Sequence, residues 1–401
     1  AEPQVVANIS SAAREGHGQV VADRRHLHSI PEIGLQEFET ATYIESRLDA
    51  LGIAHERCTP TGVVAVLDSG KPGPTVMLRA DIDALPILEE CEHEYKSTRD
   101  GFMHACGHDT HTAMQIGVAR RLVGDSSAGV PAGVPRGRVK LIFQPGEEGH
   151  HGAEKMIAAG VMENPKPDCA YGQHIWSRTP TGKIMIAPGP IMAGVDRLEI
   201  TVTGKGTHAA YPHGGWDPIY ASAQVITALQ SVISRNIDPQ ESGVVTVSVI
   251  NAGTAHNIIP QTASMIGTVR WFDEPTHEII KRRIIEVTEG VCKALGCDAD
   301  VKVIPEHFPT VNDAEIAEIV REEAVEIVGE SNVILRQQTM GAEDFSDFAK
   351  LVPAAFAFVG GQCEKKDCVW PHHHPRFNVD EDAFVIGAEL MWRVSQRLLA
   401  R

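Results

Sequence analysis

The sequence predicts an α/β protein of two domains: a larger domain on a central, mostly parallel sheet, divided along the chain, and a smaller βαββαβ (ferredoxin-like) domain inserted between its halves. Three observations lead there. The chain has 401 residues, more than one ordinary core accommodates. Helix-period and β-type runs alternate through residues 1–195 and again through 309–401. Residues 196–308 instead read strand, helix, strand, strand, helix, strand, an order in which two helices cover one face of a four-stranded antiparallel sheet.

In chain order, residues 4–29 carry apolar positions at helical spacing and stop at Ile30-Pro31, because proline disfavours helix in the residue before it. A second helix, 37–51, ends at Gly52, a C-terminal cap. Strands follow at 62–67 and 75–79, then a helix at 110–122 and a Gly/Ser/Pro-rich loop at 124–137. A strand at 138–143 and another at 168–174, ending in His174, complete the first segment. In the insert, strands are expected at 197–202, 244–250, 263–272 and 300–304, with helices at 218–233 and 275–295. Beyond it come a helix at 313–328, strands at 333–335 and 354–359, and a closing helix from Asp380.

An apolar fraction of 43% and a charged fraction of 22% are those of a folded globular chain, and no run of eighteen apolar residues offers a membrane span. Thirty-six basic against 53 acidic residues give a net charge of −17, with no basic stripe to follow a phosphate backbone, so nucleic acid is excluded as a partner. The eight cysteines are scattered rather than framed as a disulfide scaffold; Cys363 and Cys368 are close enough to be bridged. A start at Ala1 suits either signal-peptide removal or methionine excision, which leaves cytoplasmic and exported locations both open.

Chemistry concentrates at a few places. Gly101-Phe-Met-His-Ala-Cys106-Gly-His108-Asp-Thr-His111 packs histidines, a cysteine and an aspartate into a stretch with little apolar bulk, which we expect outside the core. Gly107 lets thiolate and imidazole turn towards one metal ion, although Cys-Gly-His alone equally suits a structural cysteine beside a surface histidine. Asp81 and Asp83 follow a strand, where open α/β sheets place ligands and where turns also use aspartate. Glu147 and Glu148 follow the next strand between glycines; on an extended backbone one would face a metal while the other addresses bound water. His174 and the run His372-His373-His374 add further candidates. Together these groups exceed the needs of one ion, and a metal pair sharing a ligand suits hydrolysis: it polarises a carbonyl and acidifies water while a carboxylate takes the proton.

The runs Arg-Ala-Asp81-Ile-Asp83-Ala-Leu-Pro, His104-Ala-Cys106-Gly-His108-Asp, Gln144-Pro-Gly-Glu147-Glu148-Gly, Gly206-Thr-His208-Ala-Ala, Asn257-Ile-Ile-Pro, Gly341-Ala-Glu-Asp-Phe and His-His-Pro span nearly the whole chain. In that order they resemble the dinuclear metallo-amidohydrolases, the family of carboxypeptidase G and aminoacylase, and within it the branch of hippurate and plant auxin-conjugate hydrolases. The resemblance implies a two-segment catalytic domain with an inserted lid or dimerisation domain. It implies that Cys106 bridges two metal ions, with His108, Glu148, His174 and His373 as the other ligands; His373 stands two residues before Pro375, with His374 in reserve.

By the same resemblance Glu147 is the general base and Asp83 orients a ligand, while Asp81 stands where the wider family has histidine. From the insert, His208 is expected to reach the substrate carbonyl in a partner subunit, with Asn257 and Arg270 on the substrate's carboxylate. Cysteine in place of the family's bridging aspartate keeps zinc as the first expectation and leaves manganese, nickel or cobalt open. The implied substrate is a small N-acyl or N-aroyl amino acid, or alternatively a dipeptide or a peptide C-terminus, handled by a homodimer or higher homo-oligomer.

Overall fold

The computed structural model describes residues 8–124, 131–335 and 338–401; residues 4–7 of the first expected helix and 125–130 of the expected loop lie outside them. The chain forms two compact units, the first comprising Ala1–Gly189, Val311–Gln337 and Asp344–Arg401, the second Pro190–Thr310 and Gln338–Glu343.

The first unit is built on an eight-stranded sheet: β1 (His55–Arg57), β2 (Val63–Asp68), β3 (Thr75–Asp81), β4 (Arg138–Gln144), β5 (Cys169–Pro180), β6 (Ile184–Met185), β7 (Val333–Ile334) and β8 (Ala354–Gln362). Their spatial order is β1-β2-β4-β3-β5-β8-β6-β7. The central four, β4, β3, β5 and β8, run parallel. β2 joins β4 antiparallel at one side and β6 joins β8 antiparallel at the other. β3 is buried at every position, as a strand covered on both faces is; Val76, Met77 and Leu78 form its apolar middle, and buried Arg79 and Asp81 follow at its end.

Five long helices accompany the sheet: α1 (Ser11–Ser29), α2 (Phe38–Ala50), α3 (His108–Val123), α4 (Ala314–Val328) and α5 (Asp382–Leu399). α3 is almost wholly buried, packed between α1 and α5 on one side and β3 and β5 on the other. Leu27, Leu78, Ile116, Phe143 and Leu390 belong to the one continuous core that results. Because β3 and β4 are parallel, with Asp81 opposite Gln144, the loops after both strands leave from the same rim of the sheet.

Two sequence expectations change here. β5 does not end at His174 but runs on to Pro180, because β8 continues the ladder past that point, Val359 opposite Ile175 and Gly360 opposite Trp176. The histidine- and cysteine-rich stretch is not excluded from the core: His104, His108, Asp109, Thr110 and His111 are all buried, α3 beginning at His108 rather than Thr110. Composition misleads because polar groups enter a core whenever partners meet them there.

The second unit has the order strand Gly194–Thr203, helix Pro218–Asn236, strands Gly243–Ala252 and Thr262–Trp271, helix Glu274–Ala294, strand Asp298–His307. This is the βαββαβ arrangement, all pairs antiparallel, with the first strand between the third and the fourth. Proline at the first turn and an aspartate cap start both helices: Asp217 accepts from the Ile219 and Tyr220 N–H groups, Asp273 from that of Thr276. Trp271 and His277 stack at 3.8 Å between centroids, and His277 Nε2 lies 2.5 Å from buried Asp196, so the second helix is pinned to the sheet by both packing and polarity. Residues 338–343 join this unit because the Ala193 N–H donates to the carbonyls of Thr339 and Gly341 at 3.1 and 3.0 Å.

In the first unit, buried Glu37 at the start of α2 accepts N–H groups from Leu35 at 2.9 Å and from Gly146, in the loop after β4, at 2.8 Å. Burial, reinforced by the Asp83 charge, pushes its carboxyl up to about 7. A raised carboxyl pKa means that the folded state holds its proton more tightly than the unfolded chain, so this contribution to stability is complete below the unfolded value and is lost as pH rises through about 7. We therefore expect Glu37→Gln to gain stability relative to the parent between pH 5 and pH 8, on the order of 2 kcal/mol by denaturant unfolding. A difference independent of pH would contradict it.

Candidate metal centre

β3 delivers Asp81 as its last residue and Asp83 two residues on, both buried. Asp81 Oδ2 accepts from Arg79 Nη1 at 2.8 Å, and its Oδ1 lies 2.5 Å from His111 Nδ1. Asp83 Oδ1 lies 3.0 Å from His108 Nδ1, and its Oδ2 accepts the Glu148 N–H at 2.9 Å. One carboxylate thus orients both a histidine ring on α3 and the loop after β4, the position from which such a group fixes a ligand's tautomer.

Gly107, at φ 91°, makes the turn that separates Cys106 from the first residue of α3; a Cβ there would come within 2.5 Å of Ile175. With Nδ1 engaged by Asp83, His108 Nε2 is buried and has no hydrogen-bond partner. Burial opposes a charged His108 ring, but Asp81 and Asp83 outweigh it and raise its pKa to about 10, so the pocket favours positive charge at that nitrogen. His174 differs: burial, then the neighbouring His111 and His372, hold it well below the usual histidine range, and its ring is neutral. Its Nδ1 donates to the Ile175 carbonyl at 2.5 Å, which turns Nε2 to within 3.4 Å of Cys106 Sγ.

Glu147 and Glu148 do not lie on extended backbone, so they do not face opposite ways as alternation would demand. They occupy a turn between Gly146 at φ 60° and Gly149 at φ 75°, and both present a carboxylate oxygen within 4.8 Å of a His108 ring nitrogen. Glu148 Oε1 is 2.9 Å from His373 Nε2. Of the three consecutive histidines, His372 is engaged on both sides, by Ser177 Oγ at 3.1 Å and the Ile175 carbonyl at 3.0 Å. His374 stacks on Trp370 and accepts the Arg376 N–H at 3.0 Å. His373 sits at φ 66°, held by its N–H on the Ala105 carbonyl at 2.8 Å, and so stands beside Glu148.

Two donor triads result, Cys106 with His108 and His174, and Cys106 with Glu148 and His373, the ligand atoms within each lying within 4.8 Å of one another. The donor set fits a metal. Burial pushes the Cys106 thiol well up, and the Glu148, Glu147 and Asp81 carboxylates push it further, so a thiolate there requires a cation alongside. The neutral His174 Nε2 offers a lone pair of the kind a divalent ion takes, and the unpartnered His108 Nε2, where the pocket favours positive charge, is a position at which such an ion would replace the proton.

His208, Asn257 and Arg270 all belong to the second unit. His208 and Asn257 are neighbours, since His208 is opposite Ile258 in a two-residue ladder and the Ala209 N–H donates to the Asn257 carbonyl at 3.0 Å; both side chains are exposed. His208 Nδ1 accepts the Ala210 N–H at 3.1 Å, which makes Nε2 the protonated nitrogen. Arg270, next to the end of its strand, is partly buried, and that burial lowers its pKa against the opposing pull of Glu306.

His111 went unassigned in the sequence. Its Nδ1 meets Asp81 and its Nε2 accepts the Ile175 N–H at 2.8 Å, so it ties α3 to β5 beside His174. The clue was its spacing, one helical turn after His108. Cys363 and Cys368 face each other across an isolated antiparallel bridge with both thiols free.

The model of peptidase family M20/M25/M40 matches residues 77–397. The chain is 39% identical over 390 residues to thermostable carboxypeptidase 1 of Saccharolobus solfataricus, covering 96% of each protein. It is 37% identical to IAA-amino acid hydrolase ILR1-like 4 of Arabidopsis thaliana, covering 95% of this chain and 86% of that one. The crystal structure of Bacillus subtilis YXEP, described as a dinuclear metal binding peptidase from the M20 family, superposes with a TM-score of 0.83 at 33% identity, over 96% of this chain and 99% of that chain. On these matches the chain is a metal-dependent amidohydrolase or exopeptidase, and it belongs to peptidase family M20/M25/M40.

Proposed function

We propose that the enzyme hydrolyses the amide bond of small N-acyl or N-aroyl amino acids, releasing the free amino acid, at a pair of divalent metal ions. The observation that carries this is the pair of donor triads sharing Cys106, with the Glu147 carboxylate against them. In this reading Cys106, common to both triads, and His108, His174, Glu148 and His373 would hold the ions, and Asp83 orients His108. When bound, the ions supply a Lewis acid for the amide carbonyl and lower the pKa of water. Glu147 takes the proton from the attacking water and returns it to the departing nitrogen. His208 Nε2–H donates to the carbonyl oxygen as it gains charge, and Asn257 and Arg270 grip the substrate's carboxylate. We assign His208 to the active site of a partner subunit, which makes a homodimer or higher oligomer the working form.

Zinc is the first candidate, because a thiolate and three imidazoles favour a borderline-soft ion; manganese, nickel or cobalt can occupy the same donors. A second reading, a dipeptidase or carboxypeptidase using the same centre, is favoured by the 39% identity to a carboxypeptidase. The two separate in a hydrolysis panel of N-acetyl, N-benzoyl and N-indoleacetyl amino acids beside dipeptides, run on metal-reconstituted protein. The proposal expects kcat/KM on acyl conjugates to exceed that on dipeptides; the reverse order selects the second reading.

Chelation is expected to abolish turnover and a divalent ion to restore it; full activity in chelator, with no metal by elemental analysis, would refute the centre altogether. Glu147→Gln is expected to keep its metal and lose about two to four orders of magnitude in kcat, the usual size of a general-base contribution. Glu148→Gln should lose metal first, measured by equilibrium dialysis, with kcat recovering at high metal concentration. Exchanged behaviour of the two variants would exchange the two roles.

A further inference from the structure

A second group of ligand-type side chains lies in the first unit away from Cys106. His28 from α1, and Glu89 and His93 from the loop after β3, bring ligand atoms within 4.8 Å of one another. His28 and Glu89 are buried, and His93 is nearly so. His28 Nε2 is 3.2 Å from Glu89 Oε1, and His93 Nε2 is 3.1 Å from the same oxygen. Those separations match the ligand-to-ligand edge of about 3.3 Å in a tetrahedron with metal–ligand bonds of about 2.0–2.1 Å.

Hydrogen bonding accounts for only part of the group: His28 is bonded at both ring nitrogens, to Asp109 at 2.7 Å and to Glu89 at 3.2 Å, whereas His93 is not. His93 Nε2 approaches the carboxylate to 3.1 Å as an ion-pair contact, and neither of its buried ring nitrogens has a well-formed hydrogen bond. Beside it His104, at 1% exposure and with its ring centroid 6.2 Å from that of His28, has two more unpartnered buried nitrogens. Buried polar atoms left so are rare, and an ion held between them is one of the few explanations.

Each donor is also aimed by another group. Asp109 Oδ2 lies 2.7 Å from His28 Nδ1 and is itself held by Arg24 Nε at 2.9 Å, so His28 Nε2 is left to face Glu89. The Ser97 N–H binds Glu89 Oε2 at 2.7 Å, leaving Oε1 to the histidines. His93 stacks on Tyr95 at 3.8 Å and 17°. A carboxylate behind a ligating imidazole and a fixed free carboxylate oxygen are the supports that metal ligands characteristically receive. Asp109 directly follows His108, but successive residues of a helix diverge by about 100°, so the two neighbours serve separate groups.

We propose that His28 Nε2, Glu89 Oε1 and His93 Nε2 form a further, single-ion site for a divalent transition metal of the zinc class, which fastens the loop carrying Glu89 and His93 to α1. Two imidazoles and one carboxylate form a donor set suited to such an ion. The site does not depend on the reading of the Cys106 centre, and the test keeps the two apart.

Zinc content per chain is measured by elemental analysis after saturation with Zn²⁺ and removal of free ion, for the wild type, His93→Leu, Glu89→Gln, Cys106→Ala and the Cys106→Ala/His93→Leu double variant. His93→Leu and Glu89→Gln are expected to hold one ion fewer than wild type, and the double variant one fewer than Cys106→Ala, whatever the Cys106 centre retains. Equal contents in wild type and His93→Leu overturn the site. In case the variants are misfolded, an anomalous difference map at the zinc edge on zinc-saturated wild-type crystals decides independently. A peak about 2.0–2.2 Å from both histidine Nε2 atoms supports the site, and no peak there overturns it.

Discussion

Asp81 carries a charge at the end of β3 in complete burial, and much of the neighbouring structure answers it. An unpaired carboxylate at that depth would cost several kcal/mol. Its burial works against ionisation, yet His108, His111 and Arg79 outweigh this and hold its pKa well below the usual carboxylate range. Each of those groups has a second duty. Arg79 also donates to Gln144 at the end of β4 and to Asp344, both at 2.8 Å, which draws two strand ends and a late segment of the chain together. His111 reaches across to β5, and His108 turns towards Asp83. Neutralising one charge therefore fixes the relative positions of the pieces from which the donor groups project.

The same logic explains which parts of the molecule could be read in advance. Local signals suffice for the helices and strands, since Gly52 at φ 69° ends α2 as a left-handed cap should and Asp313 caps α4 through the Glu315 and Ile316 N–H groups. The insert is legible for a similar reason: its strands alternate, as at Thr262–Trp271, where buried and outward residues follow one another almost strictly. Residues joined by sequence motif, such as Cys106 with His108 or Glu147 with Glu148, are legible as chemistry though not as geometry. Alternation misdirects at Glu147 and Glu148 because two left-handed glycines replace the strand by a turn.

What stays hidden depends on partners distant in sequence. Nothing near His111 announces Asp81 thirty positions earlier, and nothing near His28 announces Glu89 or Asp109. A histidine-rich stretch reads as surface when its companions are not visible. Once Arg24, Asp109 and His28 are seen together, the burial of that stretch has a physical cause: every charge taken from water meets an opposite one.

His373 illustrates what such an arrangement demands of the backbone. A residue other than glycine at φ 66° sits in a conformation that costs roughly 1–2 kcal/mol. Selection for folding alone would place glycine there, and the imidazole facing Glu148 would vanish with it. Laboratory evolution or consensus design aimed at heat resistance would thus be drawn towards this position and would yield sturdier protein lacking one donor. Screens on this scaffold would need to score chemistry alongside melting temperature, since under the proposed ligand set the two objectives pull in opposite directions at residue 373.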